Sequence, residues 1–232
     1  LSNYARRLSE NGRSEEALGS AKQALDIREH LAKAKPERFE PDWATSLNNY
    51  ANRLSENGRS EEALTALSSA SQIYGRWAER LPLKFGADYR ISVLYQCFLI
   101  WLCGKDEWKQ LLAARPDPLA IQYSTRESAK VAFLDDFVHA CLANTGTPAQ
   151  LKYADDAQRK WHQLDAGMQY GFEDSFFIVA ALVDKASPEL SEVSPRPAWR
   201  ARYAAMVKRR HGHLPIWLQT AMTLLRLELP PV

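Results

Sequence analysis

The sequence has little cysteine, no glycine-rich phosphate loop and no long apolar run, and each shortage argues against a class of protein. Its three cysteines, Cys97, Cys103 and Cys141, form no CxxC pair, which argues against a disulfide framework or a zinc knuckle and favours a reducing cytoplasm. None of the ten glycines belongs to a GxGxxG or GxxxxGK(S/T) pattern, so no nucleotide-phosphate loop is predicted. The apolar runs at residues 98–103 and 176–183 both fall well short of the roughly 20 residues that cross a bilayer, so we expect no membrane partner.

Acidic residues are also absent from one long segment, although the whole chain is close to charge balance. The 232 residues include 30 Lys and Arg and 28 Asp and Glu, a net charge of +2, and 46% of them are hydrophobic. Residues 193–227 contain seven Lys or Arg and no Asp or Glu, so the rest of the chain is acidic. The composition indicates an ordinary globular chain with a basic tail on an acidic body.

The histidines and cysteines offer only two candidate pairs for metal binding or catalysis. His211 and His213 have the spacing of a metal pair, but no carboxylate or thiol lies near them in sequence, and a solvated turn is expected there. His139 and Cys141 are two apart on a predicted helix and point away from each other, so a Cys–His catalytic pair is not expected.

Adjacent carboxylates are the remaining candidates for acid–base chemistry. The pairs at residues 135–136 and 155–156 fall on predicted helices, where a solvated face is the expected environment. The sequence therefore predicts no catalytic residue, no metal and no cofactor, and we expect a protein that is not an enzyme.

The most informative feature is a nearly exact internal repeat. YARRLSENGRSEEAL occupies residues 4–18 and YANRLSENGRSEEAL occupies residues 50–64, and aligning residues 1–18 with 47–64 gives 16 identities in 18 positions. The glycines Gly12, Gly58 and Gly104 continue the spacing of 46 residues. This period predicts two well-formed structural repeats and a third that has diverged.

Each repeat has the pattern of two helices joined by a glycine turn. In the second repeat, apolar residues at helical spacing predict a helix that begins near Asp42 and ends at Gly58, which suits a left-handed conformation. Ser60 is expected to cap the second helix, which continues to Pro82, with residues 82–87 forming the connection to the third repeat. In the third repeat Lys109 stands where a small residue is expected, so we interpret this repeat as degenerate.

These residues resemble tetratricopeptide repeats of the kinesin-light-chain type. LNNYANRLSENGRSEEALTALSSA matches the family at its first-helix, turn and second-helix positions, Leu47, Tyr50, Ala51, Leu54, Gly58, Ala63, Leu67 and Ala70. The resemblance implies an all-α solenoid of helical hairpins over residues 1–114 and a concave groove that binds a protein or peptide segment. The near-identical repeats also suggest a piece of a larger bacterial multidomain protein.

The resemblance also implies which residues line the groove. The matching positions in the first two repeats are polar: Asn3, Arg6, Asn48, Asn49 and Asn52. In the third repeat they are apolar: Leu94, Tyr95, Phe98 and Trp101. These apolar residues form either an open pocket or a surface covered by the chain's own later helices. Asparagine offers a donor and an acceptor together, which suits an extended peptide backbone. The family's basic carboxylate clamp is absent, which argues against recognition of a free peptide C-terminus.

Residues 115–232 are predicted to form a C-terminal helical capping region. A capping box at residues 124–127 begins one helix, Thr147-Pro148 begins another that ends at about Leu164, and residues 173–186, 197–211 and 214–229 form three more. Residues 187–197 are the best candidate for a linker.

The basic tail at residues 193–227 allows two interpretations. Its cations could bind nucleic-acid phosphates while its interleaved tryptophans stack on bases. These residues are Arg200, Arg202, Lys208, Arg209, Arg210, Trp199 and Trp217. The same helix has an apolar stripe that uses the aromatics in packing, which favours docking on the acidic body. We therefore expect a protein-binding scaffold or sensor module of a larger signalling protein, with nucleic-acid binding as the alternative and the oligomeric state open.

Overall fold

The computed structural model describes residues 1–113, 125–186 and 196–228, and these residues form helices and short connections without a strand. The all-α prediction is confirmed. The helices in chain order are α1 (Ser2–Glu10), α2 (Ser14–Ala34), α3 (Pro36–Glu56), α4 (Ser60–Arg80), α5 (Pro82–Leu102), α6 (Trp108–Ala113), α7 (Thr125–Leu142), α8 (Pro148–Gln163), α9 (Ala166–Gly171), α10 (Glu173–Ala186), α11 (Arg196–Arg209) and α12 (Ile216–Leu224).

Contacts between helices divide the chain into two compact units. Of the described residues, the first unit holds 1–113 together with 209–217, and the second holds 125–186, 196–208 and 218–228. The short segment 209–217, which we call the docked segment, thus belongs with the repeats although about a hundred residues separate it from them in sequence.

In the first compact unit, helices α1 to α6 pack in chain order, each against the next. The pairs α1–α2, α3–α4 and α5–α6 are the three repeats. Alanines bring the helices close together, since Ala17, Ala63 and Ala70 are completely buried. Leu54 and Leu67 fill the space between α3 and α4, each 1% exposed.

The three turns between first and second helices share one hydrogen-bond pattern. In the second repeat the Gly58 N–H donates to the Ser55 carbonyl at 3.1 Å, and the Arg59 N–H donates to the Leu54 carbonyl at 2.9 Å. These two bonds define a Schellman motif, which places the glycine in a left-handed conformation. The φ angles are 74° at Gly12, 75° at Gly58 and 71° at Gly104, so the prediction for Gly58 is confirmed.

Two predicted helix boundaries are wrong, and both errors involve proline. Helix α3 begins at Pro36 rather than near Asp42 and accommodates Pro41 within it. Helix α5 begins at Pro82, so residues 82–87 are helical and not a connection. Proline is favoured at the first helical position, where the missing N–H has no intrahelical partner.

The predicted cap at Ser60 is also wrong. Ser60 is the first residue of α4, and no side chain accepts a hydrogen bond at this N-terminus. Instead, the guanidinium of Arg59 donates two hydrogen bonds of 2.6 Å to the carboxylate of Glu62. Arg13 and Glu16 form the same ion pair in the first repeat, so the first two repeats share this interaction at the start of their second helices.

The second compact unit has its own aromatic core. Helix α7 packs on α8, and α8 packs on α10. The rings of Trp161 and Phe176 stack with centroids 3.9 Å apart, and Phe133, Phe137 and Phe177 are at most 1% exposed.

Local signals located two of the helices in this unit correctly. Thr147 caps α8 by accepting a hydrogen bond from the Gln150 N–H, as predicted, and α10 has the predicted bounds. Helix α11 ends two residues earlier than predicted, at Arg209, and α12 covers only Ile216–Leu224 of the predicted residues 214–229. The predicted cap at residue 124 and the linker residues 187–195 lie outside the described residues.

Candidate partner-binding site

Three asparagines on the first helices of the repeats have side-chain amides without a hydrogen bond to any described residue. Asn3 on α1 and Asn49 on α3 are equivalent positions 46 residues apart, and Asn52 lies one helical turn after Asn49 on the same face of α3. Asn3 is exposed, and Asn49 and Asn52 are half-buried. Within the described part of the chain their side-chain amides form no hydrogen bond. We call these three residues the asparagine face.

Two other predicted groove residues have different surroundings. Asn48 donates to the Ser92 hydroxyl at 3.0 Å and accepts from the same hydroxyl at 3.3 Å, which ties α3 to α5. Asn48 is therefore used in packing between repeats. Arg6 is 55% exposed and lies 3.7 Å from the Glu10 carboxylate, a separation at which the ion pair constrains the guanidinium little.

The apolar positions of the third repeat are not an open pocket at Phe98. Phe98 is 3% exposed, and its ring packs against Trp101 at 5.8 Å and against Trp217 at 5.7 Å between centroids. Trp217 is the last residue of the docked segment, so a distant part of the chain covers this position. Tyr95 and Trp101 are half-buried.

The docked segment passes the repeats in order. The Arg210 carbonyl lies over Gly12 of the first repeat, Ile216 lies over Gly58 of the second, and Trp217 reaches Phe98 of the third. A turn at His211 and Gly212, with φ of 51° and 82°, redirects the chain after α11, and the His213 N–H donates to the Arg210 carbonyl at 2.9 Å.

Two turn glycines are required by this segment as well as by their backbone angle. A Cβ on Gly12 would lie closer than 3.0 Å to the Arg210 carbonyl oxygen, and a Cβ on Gly58 would lie 3.1 Å from the Ile216 side chain. Gly104 has the same left-handed φ but nothing within 4 Å of its Cβ position. Gly12 and Gly58 therefore let another stretch of backbone or side chain approach closely, which the sequence pattern alone did not indicate.

A buried polar pair joins the first repeat to the second. The Ser9 hydroxyl donates to the Glu56 carboxylate at 2.7 Å, and Arg53 lies 2.9 Å from the same carboxylate. Ser55, the equivalent of Ser9, donates to the Asn52 carbonyl of its own helix at 2.9 Å. The equivalent of Glu56 in the third repeat is the buried residue Leu102, so the polar pair is not repeated there.

The basic tail does not form one exposed patch. In the second compact unit Arg202 donates to the buried Glu173 at 2.8 Å, and Arg200 lies 3.5 Å from Asp184, which also accepts from the Trp199 indole N–H at 3.0 Å. The other three cations differ among themselves, because Lys208 is exposed, Arg209 is half-buried and Arg210 is only 8% exposed.

The carboxylates at 135–136 are not both solvated, which corrects the prediction. Asp136 is 7% exposed and pairs with Lys160, and burial raises the pKa of its carboxyl above the usual value. Burial likewise raises the pKa of the Cys141 thiol, whose neighbour His139 instead has its Nδ1 2.8 Å from the Asp135 carbonyl oxygen. In the parts of the chain that the structure describes, no three His, Cys, Asp or Glu side chains converge as metal ligands.

Across residues 1–113, 125–186 and 196–228, no helix combines the length and apolar character needed to cross a membrane. No protein-family model, no curated protein and no solved structure matches this chain.

Proposed function

We propose that the three repeats form a tetratricopeptide-like solenoid and that the chain is a non-enzymatic scaffold or sensor module of a larger signalling protein. In this role the asparagine face holds an extended segment of a partner protein. The observation that carries the proposal is that Asn3, Asn49 and Asn52 keep their amides without hydrogen bonds within the described residues.

The chemistry of these amides supports a peptide ligand. A side-chain amide can donate to a backbone carbonyl and accept from a backbone N–H, so it recognises an extended chain with little dependence on sequence. The amides are spaced by repeat and by helical turn, which suits a ligand that runs along several repeats. The nearby Arg6 adds a cation that can meet an acidic side chain of the ligand.

The test is a selection of peptides from a displayed random library on the immobilised chain, followed by affinity measurements on the enriched peptides. Replacing Asn49 and Asn52 together by Ala should weaken those peptides about tenfold or more, because each lost hydrogen bond contributes about 0.5–1.5 kcal/mol. Circular dichroism should show unchanged helicity.

The matched control removes two exposed amides from the second helices. Gln23 on α2 and Gln72 on α4 are exposed, and replacing them by Ala should leave peptide affinity unchanged. Equal weakening by both double variants, or no weakening by either, would contradict the assignment to the asparagine face.

Nucleic-acid binding through the basic tail is the alternative function. The contacts of Arg200 and Arg202 with Asp184 and Glu173 favour docking within the second compact unit over phosphate binding. The alternative stays a prediction.

A further inference from the structure

We propose that Gly12, Gly58 and the ring of Phe98 form a second docking surface, the turn strip, for a short peptide that contains a turn followed by a proline, an aliphatic residue and a tryptophan. The docked segment, residues 209–217, is the internal ligand of this surface. A partner segment of the same chemistry replaces it. This proposal concerns other residues than the asparagine face and does not depend on it.

The close contacts on the turn strip point to a shaped surface. Gly12 admits the Arg210 carbonyl oxygen to a position that no other residue type would leave open, and Gly58 admits the Ile216 side chain. The edge of the Trp217 ring meets Phe98 at an interplanar angle of 83°, a favourable geometry for aromatic rings. Three successive repeats therefore each contribute one contact to the same short segment.

The docked segment is partly buried against the first compact unit and partly exposed. His211, Gly212 and His213 are exposed, and Ile216 is 46% exposed even where it covers Gly58. Pro215 is buried, and Trp217 is half-buried. The buried residues are thus Arg210, which is 8% exposed, and Pro215, and together with the half-buried Trp217 they define what an external ligand must supply.

The exchange can be tested with a labelled synthetic peptide of residues 209–217, RRHGHLPIW. In the parent protein the internal segment competes with the peptide at high effective concentration. Replacing Ile216 by Ser and Trp217 by Ala weakens the internal ligand and leaves the turn strip unchanged. The peptide should bind this double variant at least tenfold more tightly than it binds the parent, as measured by fluorescence anisotropy.

Glycine variants in the same background locate the peptide. Adding Gly12→Ala should reduce peptide binding at least tenfold, because the new Cβ occupies the position of the Arg210 carbonyl. Adding Gly104→Ala should change binding less than twofold, since nothing lies near that position and the φ angle is the same. Equal effects of the two glycine variants, equal binding by parent and double variant, or no binding by a folded double variant would each overturn the proposal.

A measurement on the unchanged chain covers the case in which the double variant does not fold. Excess peptide should speed hydrogen exchange in residues 209–217, where the His213 N–H is held by the Arg210 carbonyl. Unchanged exchange in this segment at saturating peptide would overturn the proposal. Replacing Asn49 and Asn52 by Ala should leave both results unaltered, so failure here is distinguishable from failure of the asparagine face.

Discussion

At the scale of single residues, identical sequence positions in the two well-formed repeats have different roles. Ser9 donates to a buried carboxylate of the next repeat, whereas Ser55 bonds to its own helix because Leu102 replaces the acceptor. Hydrogen bonds to charged groups contribute about 1.5–3 kcal/mol, more than neutral ones. The two serines therefore provide a test with matched chemistry and helix position.

We expect Ser9→Ala to lower the free energy of unfolding by about 1–3 kcal/mol, because Glu56 then loses a donor in a buried site. Urea denaturation of the full chain measures the change. Ser55→Ala should cost less than Ser9→Ala, because it removes only a neutral hydrogen bond within its own helix. Similar losses of unfolding free energy for both variants would show that the hydrogen bond between the repeats stabilises the fold no more than the bond within one helix.

Substitution of the turn glycines separates backbone strain from close approach. Gly58→Val forces a β-branched residue into a positive φ and should cost about 1–3 kcal/mol. Asparagine tolerates this conformation, so Gly104→Asn should be mild. Gly58→Asn should melt at a lower temperature than Gly104→Asn, since its Cβ meets Ile216. Identical melting temperatures for the two asparagine variants would contradict the contact.

At the scale of helices, short-range signals located most elements but missed some of their first residues. The 46-residue period and the glycine turns predicted the hairpins, and Thr147 predicted the start of α8. Asp42 was chosen as a cap because of its residue type, yet Pro36 starts α3. Proline is disfavoured inside a helix, so the sequence pattern predicts that α3 starts after Pro41. Packing of the longer helix against its neighbours outweighs that preference.

The pair between α7 and α8 has a predictable dependence on pH. Burial raises the pKa of Asp136 in the folded protein, so the folded state binds more protons than the unfolded state at pH values just above the usual carboxyl pKa, about 4. This term stabilises the fold at lower pH and is lost as pH rises. Asp136→Asn removes the term, so its stability relative to the parent should rise as the pH increases above about 4.

Urea denaturation of the parent and the Asn variant at several pH values measures this difference. Asp155→Asn, on the exposed face of α8, is the control and should show no such trend. A constant difference between the parent and Asp136→Asn across the range would contradict the raised pKa.

At the scale of the whole molecule, the contacts that the sequence could not predict join residues far apart in the chain. The engagement of Asn48 depends on Ser92, 44 residues away, and the covering of Phe98 depends on Trp217. Helical periodicity describes neighbours within a helix and carries no information about such pairs. The resemblance to tetratricopeptide repeats suggested the positions of the candidate groove but not which of them the fold itself uses.

The basic tail gives a whole-molecule prediction about nucleic acid. Because Arg200 and Arg202 contact Asp184 and Glu173, we expect no gel shift of a mixed oligonucleotide even at about 50 mM salt. A shift at that salt that disappears near 200 mM and is abolished by Glu at positions 208–210 would favour the alternative function.

The length of the docked segment also limits the number of repeats. Arg210, over the first turn glycine, stands six positions before Ile216, over the second, so the length of the segment matches one repeat step. A duplicated second repeat would restore a serine acceptor pair at the new junction, and the repeats themselves would tolerate it. The segment would then no longer reach from Gly12 of the first repeat to Phe98 of the third. Changes in repeat number in this chain are therefore limited by the short stretch that crosses the repeats and not by the repeats themselves.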